Sequence, residues 1–199
     1  MNIHSDILTL ANKYPLMLNE VEKLQTIERI IPGSVTYSIH RYKKNPQWSV
    51  EDVGMLSYNF EKTNPEANSI ELKFCISGNI YCHKKQTECD FCQLNGSKNC
   101  VEKTYSIDVL SFSFSPVYLQ QFTKANNDPQ SLSDNVLAFK HNTSFSKTVP
   151  LCGKTRLVIE ALLNHTYTDT LANIFINAQT QILLLYSMDC ILGDKEETG

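Results

Sequence analysis

Two alternating segments separated by a cysteine-rich stretch constrain the fold of this chain most. In "SIELKFCISGN" every second residue is apolar, namely Ile70, Leu72, Phe74 and Ile76. The segment "TYSIDVLSFSFSP" alternates in the same way through Leu110, Phe112 and Phe114 before Pro116. A period of two residues is the period of a strand with one buried face. The pattern therefore predicts two strands of one hairpin, with an enlarged loop between them.

The enlarged loop holds four of the seven cysteines. In "YCHKKQTECDFCQLNGSKNC" they are Cys82, Cys89, Cys92 and Cys100. Zinc prefers four thiolate or imidazole ligands in a tetrahedron, and a CxxC pair supplies two of them from one turn. We expect Cys82 and Cys100, which flank the two strands, to complete the site, with His83 as an alternative to Cys82. A site closed by four thiolates leaves no position for water, so the Zn²⁺ is predicted to be structural.

Two other interpretations of the cysteine cluster stay open. Cys89 and Cys92 would also serve as a redox pair, although a thioredoxin-like CxxC begins a helix in an α/β setting. Alternatively, all four thiols are unligated in a surface loop. The remaining cysteines, Cys75, Cys152 and Cys190, are isolated and are expected to be small buried hydrophobic residues.

Localisation and charge narrow the class of protein. The N-terminus lacks a basic region followed by an unbroken apolar one, and the longest apolar run, "ILLLY", is too short to span a bilayer. We therefore expect a cytoplasmic protein without membrane contact, whose cysteines are reduced rather than paired in disulfides. The net charge is −3, and a protein that binds DNA by itself usually carries a basic stripe. This segment is not expected to hold DNA unaided.

The rest of the chain divides into a strand-rich part and a helical part. Residues 5–30, including "NEVEKLQTIERII", are predicted to be helical or mixed, whereas "VTYSIHRY" alternates as a strand through Val35, Tyr37 and Ile39. The segment "NNDPQSLSDN" is predicted to be a polar loop, and "VLAFKHNTSFSKTV" to supply further strands. After Pro150, "TRLVIEALLNH" and "TDTLANIFINAQTQILLLYSMDCIL" have helical spacing. The second helix is apolar over so much of its circumference that we expect it to be covered on more than one side.

This arrangement resembles the N-terminal sensory region of AraC-type transcriptional regulators, in particular a subgroup with a cysteine-rich insertion. The resemblance covers about residues 50–195 and depends on "IELKFCISGN", "CDFC", "DVLSFSFSPVYLQQF" and "NIFINAQTQILLLYSMDCIL". It implies an α+β fold, a cupin-like β-barrel (jelly roll) followed by two C-terminal helices. It also implies a homodimer through the helix Leu171–Leu192, and a small-molecule effector in or near the barrel.

The implied domain organisation has three parts. Residues 1–150 form a cupin-like sensory domain with an N-terminal arm and the cysteine-rich loop 82–100. Residues 151–192 are a helical dimerisation region, and residues 193–199 are a linker toward a DNA-binding domain. No helix-turn-helix pattern occurs in this sequence. Either the native chain continues past Gly199 or the protein is a stand-alone relative without the DNA-binding half. The charged tail "GDKEETG" is typical of a linker, so we expect the chain to continue, and DNA to be bound only through that further domain.

No catalytic motif supports an enzyme. Metal-dependent cupins present His-x-His with a nearby carboxylate, but the five histidines here are scattered at His4, His40, His83, His141 and His165. G-x-S-x-G, P-loop and G-x-G-x-x-G motifs do not occur. We expect a regulator rather than an enzyme. The alternatives are a metal- or redox-sensing regulator whose cysteine loop is the sensor, and a small cupin-type enzyme.

Overall fold

The structure is a computed structural model that describes residues 23–31, 35–43, 52–77, 106–123 and 131–192. Its strands are β1 (Lys23–Ile30), β2 (Val35–Lys43), β3 (Val53–Asn59), β4 (Ser69–Ser77), β5 (Ser106–Phe114) and β6 (Phe145–Pro150). They form one sheet in the order β1-β2-β5-β4-β3-β6, and every neighbouring pair is antiparallel. Among these strands the sheet is open, with β1 and β6 at its edges.

Four α-helices accompany the sheet in the described ranges. They are α1 (Pro116–Leu119), α2 (Leu132–Leu137), α3 (Gly153–Asn164) and α4 (Asp169–Leu192). Single 3₁₀ turns occur at Pro65–Ala67 and Gln120–Phe122. The Ser115 and Ser131 side chains accept hydrogen bonds from the first-turn amides of α1 and α2, which satisfies donors that a helix start leaves open. The mixture of an antiparallel sheet and C-terminal helices confirms the α+β class.

The predicted alternation of the central strands is confirmed. Leu72 on β4 lies between Phe112 on β5 and Leu56 on β3, and all three side chains are buried. These residues share one sheet face with the other apolar positions of the pattern. That face packs against the helices in one hydrophobic core, to which α3 and α4 contribute Ile159, Leu162, Ala172, Ile176, Leu183, Leu184 and Met188. The opposite face is therefore the one available for a polar site.

Two expectations from the sequence are wrong in detail. The segment from Lys23 to Ile30 is a strand rather than a helix, because it pairs along its length with β2. The run "NNDPQSLSDN" is not entirely loop, since α2 begins at Leu132 with Ser131 as its cap. In both segments the conformation is set by an interaction that the hydrophobic pattern of the sequence does not show. For β1 it is a partner strand, and for α2 it is a capping hydroxyl.

The helix α4 is the only element in the described ranges that is long and apolar enough to cross a membrane by length and composition alone. Its best window has a mean hydropathy of 1.2, and 33% of that window is buried inside the protein. A core helix of a soluble protein passes the same test. One face of α4 packs on the sheet, so part of the high hydropathy of this helix comes from residues that belong to the core.

Candidate functional site

The four cysteines of the predicted zinc loop lie outside the described residues. The two strands that flank the loop are described, and they confirm the predicted hairpin. β4 and β5 are neighbours in the sheet, with Ser77 opposite Ile107. The chain therefore leaves the sheet and returns to it at adjacent positions. Within the described ranges, His, Cys, Asp and Glu side chains form no group of three or more that could hold a metal ion.

The three described histidines lie in separate surroundings. His40 on β2 has its Nδ1 3.2 Å from the Thr26 hydroxyl, and burial together with the Lys23 charge lowers its pKa despite the opposing effect of Glu28. The His141 carbonyl accepts a hydrogen bond from the Tyr58 hydroxyl at 2.7 Å. The His165 ring lies 5.3 Å from that of Phe175 on α4. These three described residues do not converge on one site.

A cavity of about 740 Å³ lies over the sheet face opposite the helices. Its floor consists of two cross-strand rows. One row runs from Glu28 through Ser38 and Ser111 to Lys73, and the other from Thr36 through Ser113 to Glu71. The seven side chains of these two rows are all hydroxyl or charged groups, and they make a hydrogen-bonding surface where large apolar residues would fill the space. A volume of this size is typical of small-molecule sites.

The charges in the cavity are partly compensated. The Lys73 ammonium lies 3.1 Å from the Glu71 carboxylate, and about two thirds of each side chain is covered. Glu28 at the rim adds a second carboxylate, which is largely exposed. The hydroxyls of Ser38, Ser111 and Ser113 can each donate and accept hydrogen bonds. The cavity can therefore bind a polar ligand without a strong preference for anions.

An apolar cluster lies farther along the same sheet face. It consists of Tyr42, Met55, Cys75, Ile107 and Val109, all at most 6% exposed. Cys75 lies on the same face as Glu71 and Lys73, as the sequence predicts, and it is buried because it belongs to this cluster. Burial also raises the pKa of the Tyr42 hydroxyl. The face opposite the helices is therefore polar in one part and apolar in another.

The helix α4 has two apolar faces. Its buried face includes Ala172, Ile176, Thr180, Leu183 and Ser187. On the opposite face, five residues form what we call the α4 stripe: Leu171, Ile174, Ala178, Ile182 and Leu185. Steps of three and four residues keep the stripe within one narrow sector of the helix. Leu171, Ile174 and Leu185 are each 62% exposed, so the helix has apolar surface that its own domain does not cover.

An apolar groove of about 460 Å³ runs beside the C-terminal half of the α4 stripe. On one side it is bounded by α4 residues that include Ala178, Ile182 and Leu185, and on the other by Phe122 and Leu137. Phe122 remains 40% exposed. Because both walls are apolar, the groove fits an aliphatic or aromatic group better than a polar ligand.

The segment that follows β5 connects the cavity to the groove. β5 carries Ser111 and Ser113 in the cavity floor and is followed by α1 and the turn that ends at Phe122. Within α1, the Tyr118 hydroxyl donates a hydrogen bond to Asn177 Oδ1 at 2.9 Å. Asn177 immediately precedes Ala178 of the α4 stripe. β5, α1 and the hydrogen bond from Tyr118 to Asn177 therefore link the cavity on one face of the sheet to the groove on the other.

Cys152 is not the buried residue that the sequence predicts. It is exposed and occupies the N-cap position of α3, with its sulfur 3.4 Å from the Thr155 hydroxyl. The Thr155 hydroxyl beside the sulfur is the main cause that lowers the pKa of this thiol. The signal in the sequence was a cysteine directly before Gly153 at a helix start, where Ser, Thr, Asp or Asn is usual.

Comparisons with models of protein families, with curated proteins and with solved structures find no match to this chain. The described site residues come from β1, β2, β4 and β5 for the cavity, and from α4 with the segment after β5 for the groove.

Proposed function

We propose that this chain is the sensory and dimerisation region of an AraC-type transcription regulator located in the cytoplasm. The observation that carries the proposal is the α4 stripe, because a long helix apolar on two opposite faces needs two partners. One face packs on the sheet of its own domain. The other, with Leu171, Ile174 and Leu185 each 62% exposed, is available to a second copy of the chain.

The sheet supplies the sensory half of the proposal. In this interpretation the six described strands belong to a cupin-like jelly roll, and the cavity over Ser111 and Ser113 holds a small polar effector. The ion pair of Glu71 and Lys73 would reorganise around such a ligand, because its carboxylate and ammonium line the cavity and are less exposed than the Glu28 carboxylate. β5 would pass the change to α1 and the groove, since the same strand forms the cavity floor and precedes Tyr118.

The cysteine loop has a structural role in this proposal. Cys82, Cys89, Cys92 and Cys100 would bind one Zn²⁺ as four thiolates and order the connection between β4 and β5. The pairing of Ser77 with Ile107 supports this role, because it brings the two ends of the loop together. DNA contact would belong to a further C-terminal domain, consistent with the net charge of −3.

Sedimentation equilibrium of the purified chain under reducing conditions tests the proposal. We expect a reversible monomer–dimer equilibrium at micromolar concentration that shifts when a bound effector changes the cavity. Small-molecule screening by thermal shift identifies such an effector, and Ser111→Leu serves as the variant whose cavity is filled. A chain that stays monomeric at all accessible concentrations would overturn the dimerisation function. A ligand that stabilises Ser111→Leu as well as the wild type would overturn the assignment of the cavity.

A further inference from the structure

We infer that a second cavity, at the end of the sheet where β3 and β4 are connected, binds a small α-amino acid with an apolar side chain. Its volume is about 290 Å³, which suits one small molecule. The lining comes from the connection between β3 and β4, from Pro116 at the start of α1, and from the end of α2. This cavity is distinct from the one over Ser111 and Ser113, and the inference does not depend on the proposed dimerisation.

The walls of this second cavity are apolar and held in place. Phe60 and Phe139 line it, and both rings stack on the buried ring of Tyr58, with 6.4 and 5.3 Å between centroids. Phe139 follows the C-cap of α2 with a φ of 52°, a left-handed conformation for which glycine or asparagine is usual. A phenylalanine there costs free energy that glycine would not. The aromatic wall is therefore kept despite backbone strain, and it is preorganised for an apolar group.

A buried amide supplies a hydrogen-bond donor to the same cavity. Asn68 is 6% exposed, and its Oδ1 accepts a hydrogen bond from the Glu61 N–H at 2.6 Å. Because a backbone N–H only donates, this bond fixes which end of the Asn68 amide is the oxygen. The Nδ2 group has no hydrogen-bond partner among the described residues, and Asn68 lines the cavity. A ligand carboxylate would satisfy this donor and recover the free energy that its burial costs.

The rim of the cavity carries one charge of each sign. The Lys62 ammonium makes no ion pair within the described ranges and can bind the same ligand carboxylate as Asn68. The Glu61 carboxylate accepts a hydrogen bond from the Thr63 hydroxyl through Oε1 at 2.7 Å, which leaves Oε2 to accept from a ligand ammonium. A cation, an anion and a neutral donor beside apolar walls complement a zwitterion with an apolar side chain better than a simple acid or amine.

Titration calorimetry of the full chain with L-leucine and L-phenylalanine tests the inference, and we expect saturable binding. Two analogues keep the phenyl ring and lose one charge each, since phenylpropionate lacks the ammonium group and phenethylamine lacks the carboxylate. Each should bind at least about fivefold more weakly than phenylalanine, because the interaction of each charge with the rim is lost. Absence of binding by both amino acids at millimolar concentration would overturn the inference. An analogue that binds as tightly as phenylalanine would do the same.

The variant Asn68→Asp separates ligand binding from a structural role. The new carboxylate still accepts the hydrogen bond from the Glu61 N–H, but it cannot donate one and it repels the ligand carboxylate. We expect amino-acid binding to weaken at least about tenfold. Wild-type affinity in this variant, with the fold checked by circular dichroism, would show that Asn68 only holds its own loop and would overturn the site.

A second variant keeps the test valid if Asn68→Asp does not fold. Lys62→Met should weaken binding about threefold or more, whereas Lys154→Met, on an exposed position of α3 outside the cavity, should leave it unchanged. Equal affinities of these two variants would contradict the assignment. Ser111→Leu, which fills the other cavity, should bind the amino acid like the wild type. Loss of binding in Ser111→Leu would place the ligand in that other cavity, which would overturn this inference and leave the proposed function intact.

Discussion

At the scale of single residues, Gly54 is a position with no room for a side chain. It lies on β3 opposite Phe74, and a Cβ built there would be 2.8 Å from Phe74 Cε1 and 3.0 Å from the Val149 carbonyl oxygen. The Phe74 ring is fully buried and cannot move away cheaply. The absence of a side chain at Gly54 is therefore what allows Phe74 to lie across β3.

We expect Gly54→Ala to lower the free energy of unfolding by about 1–3 kcal/mol, because it overpacks a closed part of the core. Gly153→Ala is the matched control, since a Cβ at Gly153 at the start of α3 meets nothing within 4 Å. That control should be neutral or stabilise by up to about 1 kcal/mol. Urea denaturation of both variants measures the difference, and an equal effect of the two would contradict the close approach seen at Gly54.

At the scale of elements, the hydrogen bond from Tyr118 to Asn177 joins α1 to α4. Tyr118 is 4% exposed and its ring stacks on Phe114, the last residue of β5. The end of β5, the short helix α1 and the centre of α4 thus share one contact. Such a contact holds α4 in a defined position relative to the sheet.

The variant Tyr118→Phe should lower the free energy of unfolding by about 1 kcal/mol, because it leaves the Asn177 oxygen without this donor. Tyr186→Phe on α4 is the matched control, since the described ranges show no hydrogen bond from its hydroxyl. Thermal or urea unfolding followed by circular dichroism measures both. A Tyr118→Phe variant as stable as Tyr186→Phe would mean that ring packing alone positions α1.

At the scale of the whole molecule, the predicted zinc loop joins β4 and β5 in the middle of the sheet. Metal binding by a loop at this position would stabilise the folded sheet, because the ligands come together only when both strands are in place. The helical layer is tied to the same sheet by the ion pair of Arg156 on α3 with Asp52, at 2.7 Å. Loss of the metal should therefore affect the stability of the entire domain.

We expect protein purified under reducing conditions to contain about one zinc per chain. A strong chelator should remove it and lower the melting temperature, and Cys89→Ser with Cys92→Ser should abolish metal binding. Cys152→Ser is the control that keeps its zinc, because Cys152 lies at the N-cap of α3 outside the loop. Elemental analysis of the three proteins decides the question: zinc-free wild type would overturn the structural site, and rapid reversible release at physiological zinc levels would favour a metal sensor.

The sequence by itself determined the central strands, the hairpin and the two long helices. Apolar residues recur every 2 residues along a strand and every 3.6 along a helix. These periods are local properties of the sequence, and any fold that buries one face of each element requires them. This is why Leu72, Phe74 and Phe112 were predicted on one face of adjacent strands and lie there. The sequence also indicated that α4 has more apolar surface than one contact requires.

Only the tertiary structure decided which surfaces remain open. The sequence of β1 has no clear hydrophobic period. Its strand conformation comes from pairing with β2, an interaction that the local sequence of β1 does not reveal. The hydroxyl floor of the cavity depends on cross-strand register, which places Ser38, Ser111 and Lys73 in one row. The two apolar faces of α4 look alike in sequence. The packing of the sheet selects one of them and leaves the α4 stripe exposed, because burial depends on which neighbours the fold brings within contact distance.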